Sequence, residues 1–153
     1  MGHTVTGLIA KPATLSAFAQ KHSLHAPIAL AAGLAILPLR DDDIDAFLKP
    51  SQSRHREGFI YLSEELLRAL NAASFDGPLV YFETDYAGGA GTQGAVVLRD
   101  GALAFGPKCA RLGPINEALA LLGVRVVAPA RDEFETVGLH RHRSTEDWLE
   151  CND

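Results

Sequence analysis

The segment Tyr81–Leu98 combines acidic side chains with closely spaced glycines. An aromatic, strand-like sequence leads into four glycines within seven residues, and a second apolar sequence follows. Glu83 and Asp85 are two residues apart, so on a strand both carboxylates project from the same face. Such a pair could bind a cation, act as acid and base, or meet a basic partner. The segment therefore indicates a polar working surface.

Strand alternation also offers a purely structural explanation for these carboxylates. Val80 and Phe82 point to one side of the predicted strand, whereas Tyr81, Glu83 and Asp85 point to the other. This is the pattern of a half-buried strand with one solvated face. We therefore expect Glu83 and Asp85 to face solvent.

The glycines of Gly89–Gly94 have the spacing G-x-G-x-x-G. In a dinucleotide-binding fold the third glycine opens a helix, but here Ala95–Leu98 is β-rich. The kinase phosphate loop shares this spacing, yet none of the other kinase motifs follows in the sequence. The spacing therefore predicts a glycine-rich hairpin connection or bulge between two strands.

A basic run, His140–Arg143, follows near the end of the chain. His140 and His142 could offer two imidazoles to a metal, with further ligands from distant residues. The interleaved Arg141 and Arg143 would repel a cation and suit an anion or a carboxylate-rich partner better. A solvent-facing loop before a final helix explains the run without any ligand, so we expect no metal and no cofactor.

Length and composition predict one globular domain over residues 1–153. Hydrophobic residues make up 47% and charged residues 22%, and the net charge of −5 argues against non-specific nucleic-acid binding. Cys109 and Cys151 are far apart and suit free thiols in a reducing cytoplasm. The longest apolar stretch, Pro27–Leu39, is too short and too interrupted to span a membrane.

Interspersed strand and helix signals predict an α+β fold, with a mixed, mainly antiparallel sheet and helices packed against it. Ser63 and Ser144 are the predicted N-caps of two helices, and Asp100-Gly101 predicts a two-residue hairpin turn. Strands are expected at 4–10, 33–39, 79–86, 95–99, 102–105 and 124–127. Helices are expected at 14–22, 41–49, 64–74, 114–122 and after residue 144.

The aspartates between Asp41 and Asp45 lie in the first turn of one predicted helix. Carboxylates there complement the helix dipole and cap free amides. An EF-hand loop would need a later glycine and a glutamate at its twelfth position, and the sequence has neither. We therefore interpret this acidic cluster as a helix start.

The segment Glu83–Ala95 resembles a motif of small uncharacterised bacterial proteins, in which Glu-Thr-x-Tyr is followed by Gly-Gly-x-Gly-x-Gln. The segment Gly138–Trp148 looks like part of the same pattern. Some proteins of this kind look like immunity partners for bacterial toxins. The resemblance therefore implies a binding role, and it identifies no catalytic residue.

Two hypotheses follow for function. The first is a cytoplasmic protein-binding module, immunity-like, that acts by surface complementarity to a toxin-like protein and is not an enzyme. The alternative is a small enzyme or ligand-binding protein that holds an anionic ligand at the Gly88–Gly94 loop. An exposed sheet edge would also permit a homodimer. The candidate partner- or ligand-binding residues are Glu83, Asp85, Tyr86, Gly88, Gly89, Gly91, Gln93, His140, Arg141, His142 and Arg143.

Overall fold

The computed structural model describes residues 2–48 and 56–150. Its strands are β1 (Thr6–Ala10), β2 (Ile28–Ala29), β3 (Ala35–Pro38), β4 (Leu79–Ala87), β5 (Ala90–Arg99) and β6 (Ala102–Ala110). Its α-helices are α1 (Pro12–Lys21), α2 (Asp41–Phe47), α3 (Glu64–Ala73), α4 (Pro114–Leu121), α5 (Glu133–Val137) and α6 (Thr145–Glu150). Short 3-10 helices cover Ser74–Asp76 and Leu139–Arg141.

The six strands form one sheet in the order β2-β3-β1-β4-β5-β6. All five pairings between these strands are antiparallel. The predicted α+β class, with a mainly antiparallel sheet and helices packed against it, is therefore confirmed.

Helices cover both faces of this sheet. On what we call the first face, buried sheet residues such as Leu8 and Tyr81 pack with α1, α2 and α3. On the second face, sheet residues such as Ile9 and Phe82 pack with α4, α5 and α6, including the fully buried Trp148. The result is three layers with a separate apolar core on each side of the sheet. Alternation along a central strand therefore sorts side chains between two cores, not between core and solvent.

Several local sequence signals are confirmed. Ser63 caps α3, where its hydroxyl accepts a hydrogen bond from the Leu66 amide at 3.2 Å. Ser144 does the same for the Asp147 amide at 3.0 Å, at the start of α6. The Asp100-Gly101 turn joins β5 to β6, with both residues at positive φ. These signals succeed because each depends on neighbours in the chain.

The predicted acidic helix start is also present. The Asp43 carboxylate accepts a hydrogen bond from the Arg40 amide at 3.0 Å and forms an ion pair with the Arg40 guanidinium. The helix α2 ends at Phe47, and Lys49, where the prediction ended it, lies outside the described residues.

The predicted strand at 124–127 is wrong. This segment is irregular: it follows α4 in the helical layer on the second face and is not part of the sheet. Val124 is buried against that core, whereas the side chain of Val127 is 63% exposed. Neither the two-residue β2 nor the five-residue α5 was predicted from the sequence.

Candidate functional site

The glycine-rich segment forms a tight hairpin between β4 and β5. Gly88 and Gly89 make a two-residue turn with φ of 60° and 82°, and the residues before and after it pair directly. The prediction that this segment joins two strands is therefore confirmed. Gly91 lies within β5, where a Cβ atom would come within 2.1 Å of the Asp85 carbonyl oxygen. Only glycine allows that approach of the two strands.

Glu83 is buried, which corrects the expectation that it faces solvent. Its side chain is 4% exposed and points into the first-face core beside Tyr81. The carboxylate accepts hydrogen bonds from the Ile60 amide at 2.6 Å, the Tyr61 amide at 2.9 Å and the Tyr81 hydroxyl at 2.5 Å. Burial and the Glu83 carboxylate raise the pKa of Tyr81 well above its usual range, so this hydroxyl keeps its proton to donate. Glu83 therefore fixes the segment before α3 onto the sheet.

Asp85 is exposed, as expected, and belongs to a larger acidic group. The pKa of Tyr61 is raised by partial burial and then by nearby carboxylates, among them Asp41, Asp45 and Asp85. Folding therefore brings Asp41 and Asp45 near Asp85, although they are 44 and 40 positions apart in the chain. We call Asp41, Asp45, Asp85, Ile60 and Tyr61 the acidic surface. A cleft of about 240 Å³ beside it is lined by Tyr61, Asp41, Thr4 and Glu146, among others.

A second cleft, of about 340 Å³, lies at the same end of the sheet but on the second face. We call it the polar cleft, and its described lining residues are His3, Tyr86, Gly89, Gln93, Leu112, Asn116, Asp132 and Phe134. Three of them, Tyr86, Gly89 and Gln93, were candidates from the sequence.

Gln93 links the hairpin to α4 inside the polar cleft. Its amide oxygen accepts a hydrogen bond from the Ile115 amide at 2.8 Å, in the first turn of the helix. Its amide nitrogen donates to the Tyr86 hydroxyl at 3.0 Å, and that hydroxyl donates in turn to the Arg111 carbonyl oxygen. These bonds hold both side chains in fixed positions along one wall.

Asn116 and Asp132 form the opposite wall. The Asn116 amide oxygen accepts a hydrogen bond from the Phe134 amide at 2.9 Å. Asp132 is the N-cap of α5, and its Oδ1 accepts from the Glu135 amide at 2.9 Å. Among residues 2–48 and 56–150, its Oδ2 has one hydrogen-bond contact, a long one of 3.4 Å with the Asn116 side-chain nitrogen. Oδ2 of Asp132 is therefore more weakly hydrogen-bonded than Oδ1.

His3 closes the cleft with both ring nitrogens in use. Nδ1 lies 2.7 Å from the Thr84 hydroxyl and Nε2 lies 3.2 Å from the Leu139 carbonyl oxygen. Because a carbonyl only accepts, Nε2 carries the proton. In the neutral ring Nδ1 is then an acceptor, so the Thr84 hydroxyl donates to it at 2.7 Å in preference to the Val5 carbonyl oxygen at 3.4 Å, and accepts from the Val5 amide at 2.8 Å. Burial lowers the pKa of His3, which favours this neutral ring.

The basic run, His140–Arg143, lies beside this N-terminal segment. His140, Arg141 and Arg143 are exposed, whereas His142 is half-buried. The His142 ring packs edge-on against Trp148 at 4.6 Å, and the Arg141 guanidinium lies over the same indole at 5.0 Å. The Arg143 carbonyl oxygen accepts a hydrogen bond from the Thr4 amide at 2.7 Å. The run is thus a surface segment anchored by packing.

The described part of the chain offers little for metal or thiol chemistry. Within residues 2–48 and 56–150, no group of three or more His, Cys, Asp or Glu side chains is arranged to hold a metal. Burial, with the Glu83 and Glu57 carboxylates, raises the pKa of the Cys109 thiol to about 11, so this thiol is protonated near neutral pH. Cys151 lies outside the described residues. None of the described helices is both long and apolar enough to cross a membrane.

The candidate residues thus separate into distinct environments. Asp85 joins the acidic surface, Tyr86 and Gln93 line the polar cleft, and Glu83 is in the core. Sequence reasoning missed five residues that line the polar cleft, because they come from three separate segments: His3, Leu112, Asn116, Asp132 and Phe134. The spacing of Asp132 and Glu135, typical of a helix start, was the one local signal for this group.

Together these features define a small antiparallel α+β protein with an acidic surface and a polar cleft at one end of its sheet. Comparison with protein-family models, with curated protein sequences and with solved structures finds no match.

Proposed function

We propose that this chain is a protein-binding module of the cytoplasm that acts by surface complementarity to a partner. Its role is immunity-like: it binds a toxin-like protein and blocks it. The observation that carries the proposal is the acidic surface, where the charges of Asp41, Asp45 and Asp85 all act on the partly buried Tyr61. Such a surface suits a basic patch on the partner.

The composition of the acidic surface supports protein recognition. Tyrosine is enriched at the energetic centres of protein interfaces because it buries a large apolar ring and keeps one polar atom. Here Tyr61 adjoins Ile60, whose side chain is 43% exposed. The surrounding carboxylates would speed association with a basic partner and reject acidic competitors. The net charge of −5 also favours association with a basic partner.

Glu83 gives this surface a fixed shape. Its carboxylate binds the backbone amides of Ile60 and Tyr61, so the two apolar side chains are presented from a backbone tied to the sheet. A surface that is ordered before binding loses less entropy on association. The buried carboxylate thus contributes to recognition by positioning the residues that make contact.

The alternative function, an anionic ligand held by the Gly88–Gly94 loop, has less support. A phosphate-binding loop needs several backbone amides that converge on one point. In this chain residues 90–94 are part of β5 and pair with β4, so only Gly88 and Gly89 form the turn itself. Two turn residues supply few amides to an anion.

Affinity capture from the native lysate tests the proposal. We expect the protein to retain a basic partner in stoichiometric amount, and we expect the double variant Asp41→Lys with Asp85→Lys to retain at least about tenfold less. Raising the salt from about 0.1 M to 0.5 M should weaken the wild-type complex, because exposed charges are screened.

The matched control is the double variant Asp76→Lys with Glu150→Lys, which reverses the same number of charges at exposed positions outside the acidic surface. This variant should retain the partner as well as the wild type does. Recovery of no stoichiometric partner would contradict the proposal. Equal loss in the control and in the acidic-surface variant would show that net charge, not the acidic surface, drives capture.

A further inference from the structure

We propose that the polar cleft binds the guanidinium group of an arginine within a peptide. The cleft lies on the second face of the sheet, whereas the acidic surface lies on the first. The inference goes beyond the proposed function and does not depend on it, because it concerns a different set of side chains and a different test.

Asp132 supplies the charge that attracts a cation. Among the described lining residues it is the one acidic side chain, and none of them is a lysine or arginine. Capping of α5 uses Oδ1, whereas Oδ2 has only the 3.4 Å contact with Asn116. A carboxylate has about four acceptor sites, so Oδ2 can still accept strong, charge-assisted hydrogen bonds.

Other polar atoms of the polar cleft have unused hydrogen-bond donors and acceptors that could bind a peptide. The Tyr86 hydroxyl donates once and accepts once, which leaves one lone pair for another guanidinium N–H. The side-chain amides of Gln93 and Asn116 each have one further N–H beyond the bonds described above. These two donors suit the carbonyl oxygens that flank an arginine in a chain.

An aromatic ring and the volume of the cleft favour arginine. A guanidinium is planar and weakly hydrated, so it stacks on an aromatic face more readily than an ammonium group does. Phe134 provides such a ring, held against His3 at 5.3 Å. Because burial lowers the pKa of His3, that ring adds no positive charge at neutral pH. The volume of about 340 Å³ is near the lower limit for ligand pockets, as expected for a single side chain.

The test is a titration followed by the side-chain amide NMR signals of Gln93 and Asn116. The probe is N-acetyl-arginine amide, and its matched control is N-acetyl-citrulline amide, which has nearly the same shape without the charge. We expect saturable shifts of both signals with the arginine probe and at least about tenfold weaker binding of the citrulline probe. The variant Asp132→Asn keeps an N-cap oxygen for α5, so it should fold normally and bind the two probes equally.

Three results would overturn the inference. The first is the absence of saturable shifts with the arginine probe, and the second is equal affinity of both probes for the wild type. The third is butylguanidinium binding as tightly as N-acetyl-arginine amide, which would assign the cleft to a free organic cation instead of a residue in a chain. Circular dichroism of Asp132→Asn distinguishes loss of the site from loss of the fold. If Asp132→Asn fails to fold, the comparison of the two probes on the wild type still decides the matter.

Discussion

Glu83 shows how a charged side chain can be part of an apolar core. Isolated burial of a carboxylate is very costly, and it is tolerated where hydrogen bonds replace the lost water. Glu83 has three donors, two from the backbone amides of Ile60 and Tyr61 and one from the Tyr81 hydroxyl. The Glu83 carboxylate thus links strand β4, which also contains Tyr81, to the segment before α3.

Substitution of Glu83 by glutamine should destabilise the protein by about 2–3 kcal/mol, because one backbone amide would then face an NH₂ group and lose its acceptor. Urea denaturation at neutral pH measures this change. The matched control is Asp85→Asn on the same strand face, which is exposed and should change stability by less than about 0.5 kcal/mol. A Glu83→Gln variant as stable as the control would show that the carboxylate has no structural role.

His3 should make stability depend on pH. Burial lowers its pKa in the folded state below the ordinary value near 6.5, so the unfolded chain takes up a proton first. The contribution of neutral His3 to the free energy of unfolding is intact above pH 6.5. It is lost progressively as the pH falls towards the folded-state pKa of His3. The variant His3→Gln cannot titrate there and should lose less stability between pH 7.5 and 5.

Comparing the variant with the wild type isolates His3 from other groups. Burial also lowers the pKa of His22 and His25, but these residues are present in both proteins and their effects cancel in the difference. Identical pH dependence in His3→Gln and wild type would contradict the assignment.

At the scale of elements, the β4–β5 hairpin depends on glycines for two different reasons. Gly88 and Gly89 form the turn, where positive φ is required and the space around them is open. Gly91 lies in the ladder and is required by close contact with the Asp85 carbonyl and Tyr86. Substitutions at the two kinds of position should therefore have different effects.

Replacement of Gly91 by alanine should cost about 3 kcal/mol, because the new methyl group would overlap the backbone of β4. The matched substitution is Gly88→Asn in the turn, which asparagine tolerates at positive φ and which should cost less than about 0.5 kcal/mol. Thermal unfolding of the two variants measures the difference. Similar midpoints for both would indicate that the hairpin can shift to accommodate the methyl group.

The elements that could be predicted from sequence are those whose cause is local. The caps at Ser63 and Ser144 and the Asp100-Gly101 turn involve residues within a few positions of one another, so their types alone identify them. The burial of Glu83 could not be predicted, because the segment that covers it lies more than twenty residues earlier in the chain. The polar cleft is similar, since His3, Asn116 and Asp132 meet only after the sheet and its helices are assembled.

At the scale of the whole molecule, the sheet has two very different edges. One is the two-residue β2, and the other is the nine-residue β6. Pro107 lacks an amide hydrogen, and the register of β6 against β5 shifts between Ala95 and Val97, so one half of this edge is protected against pairing. The other half, Ala102–Phe105, has no proline, although a second register shift, between Val97 and Leu98, lies opposite Phe105 and Leu103. We propose it as the site of weak self-association.

Replacement of Leu103 by lysine should suppress that association, because a charged residue on an edge strand opposes pairing with a second copy. Sedimentation velocity over a range of protein concentrations measures the effect. The control is Leu121→Lys at the end of α4, since Leu103 and Leu121 are 45% and 47% exposed and differ in position alone. A dimer that persists in Leu103→Lys would place the contact elsewhere.

Two adjacent residues near the N-terminus connect the polar cleft with the cleft beside the acidic surface. His3 lines the polar cleft, and Thr4 lines the smaller cleft beside the acidic surface. Their backbone pairs with Tyr86 on one side and with the segment around Ser144 on the other. Because one peptide bond joins His3 to Thr4, we expect a ligand that moves His3 to move Thr4 as well. By thermodynamic reciprocity, each occupant would then change the affinity for the other by the same factor.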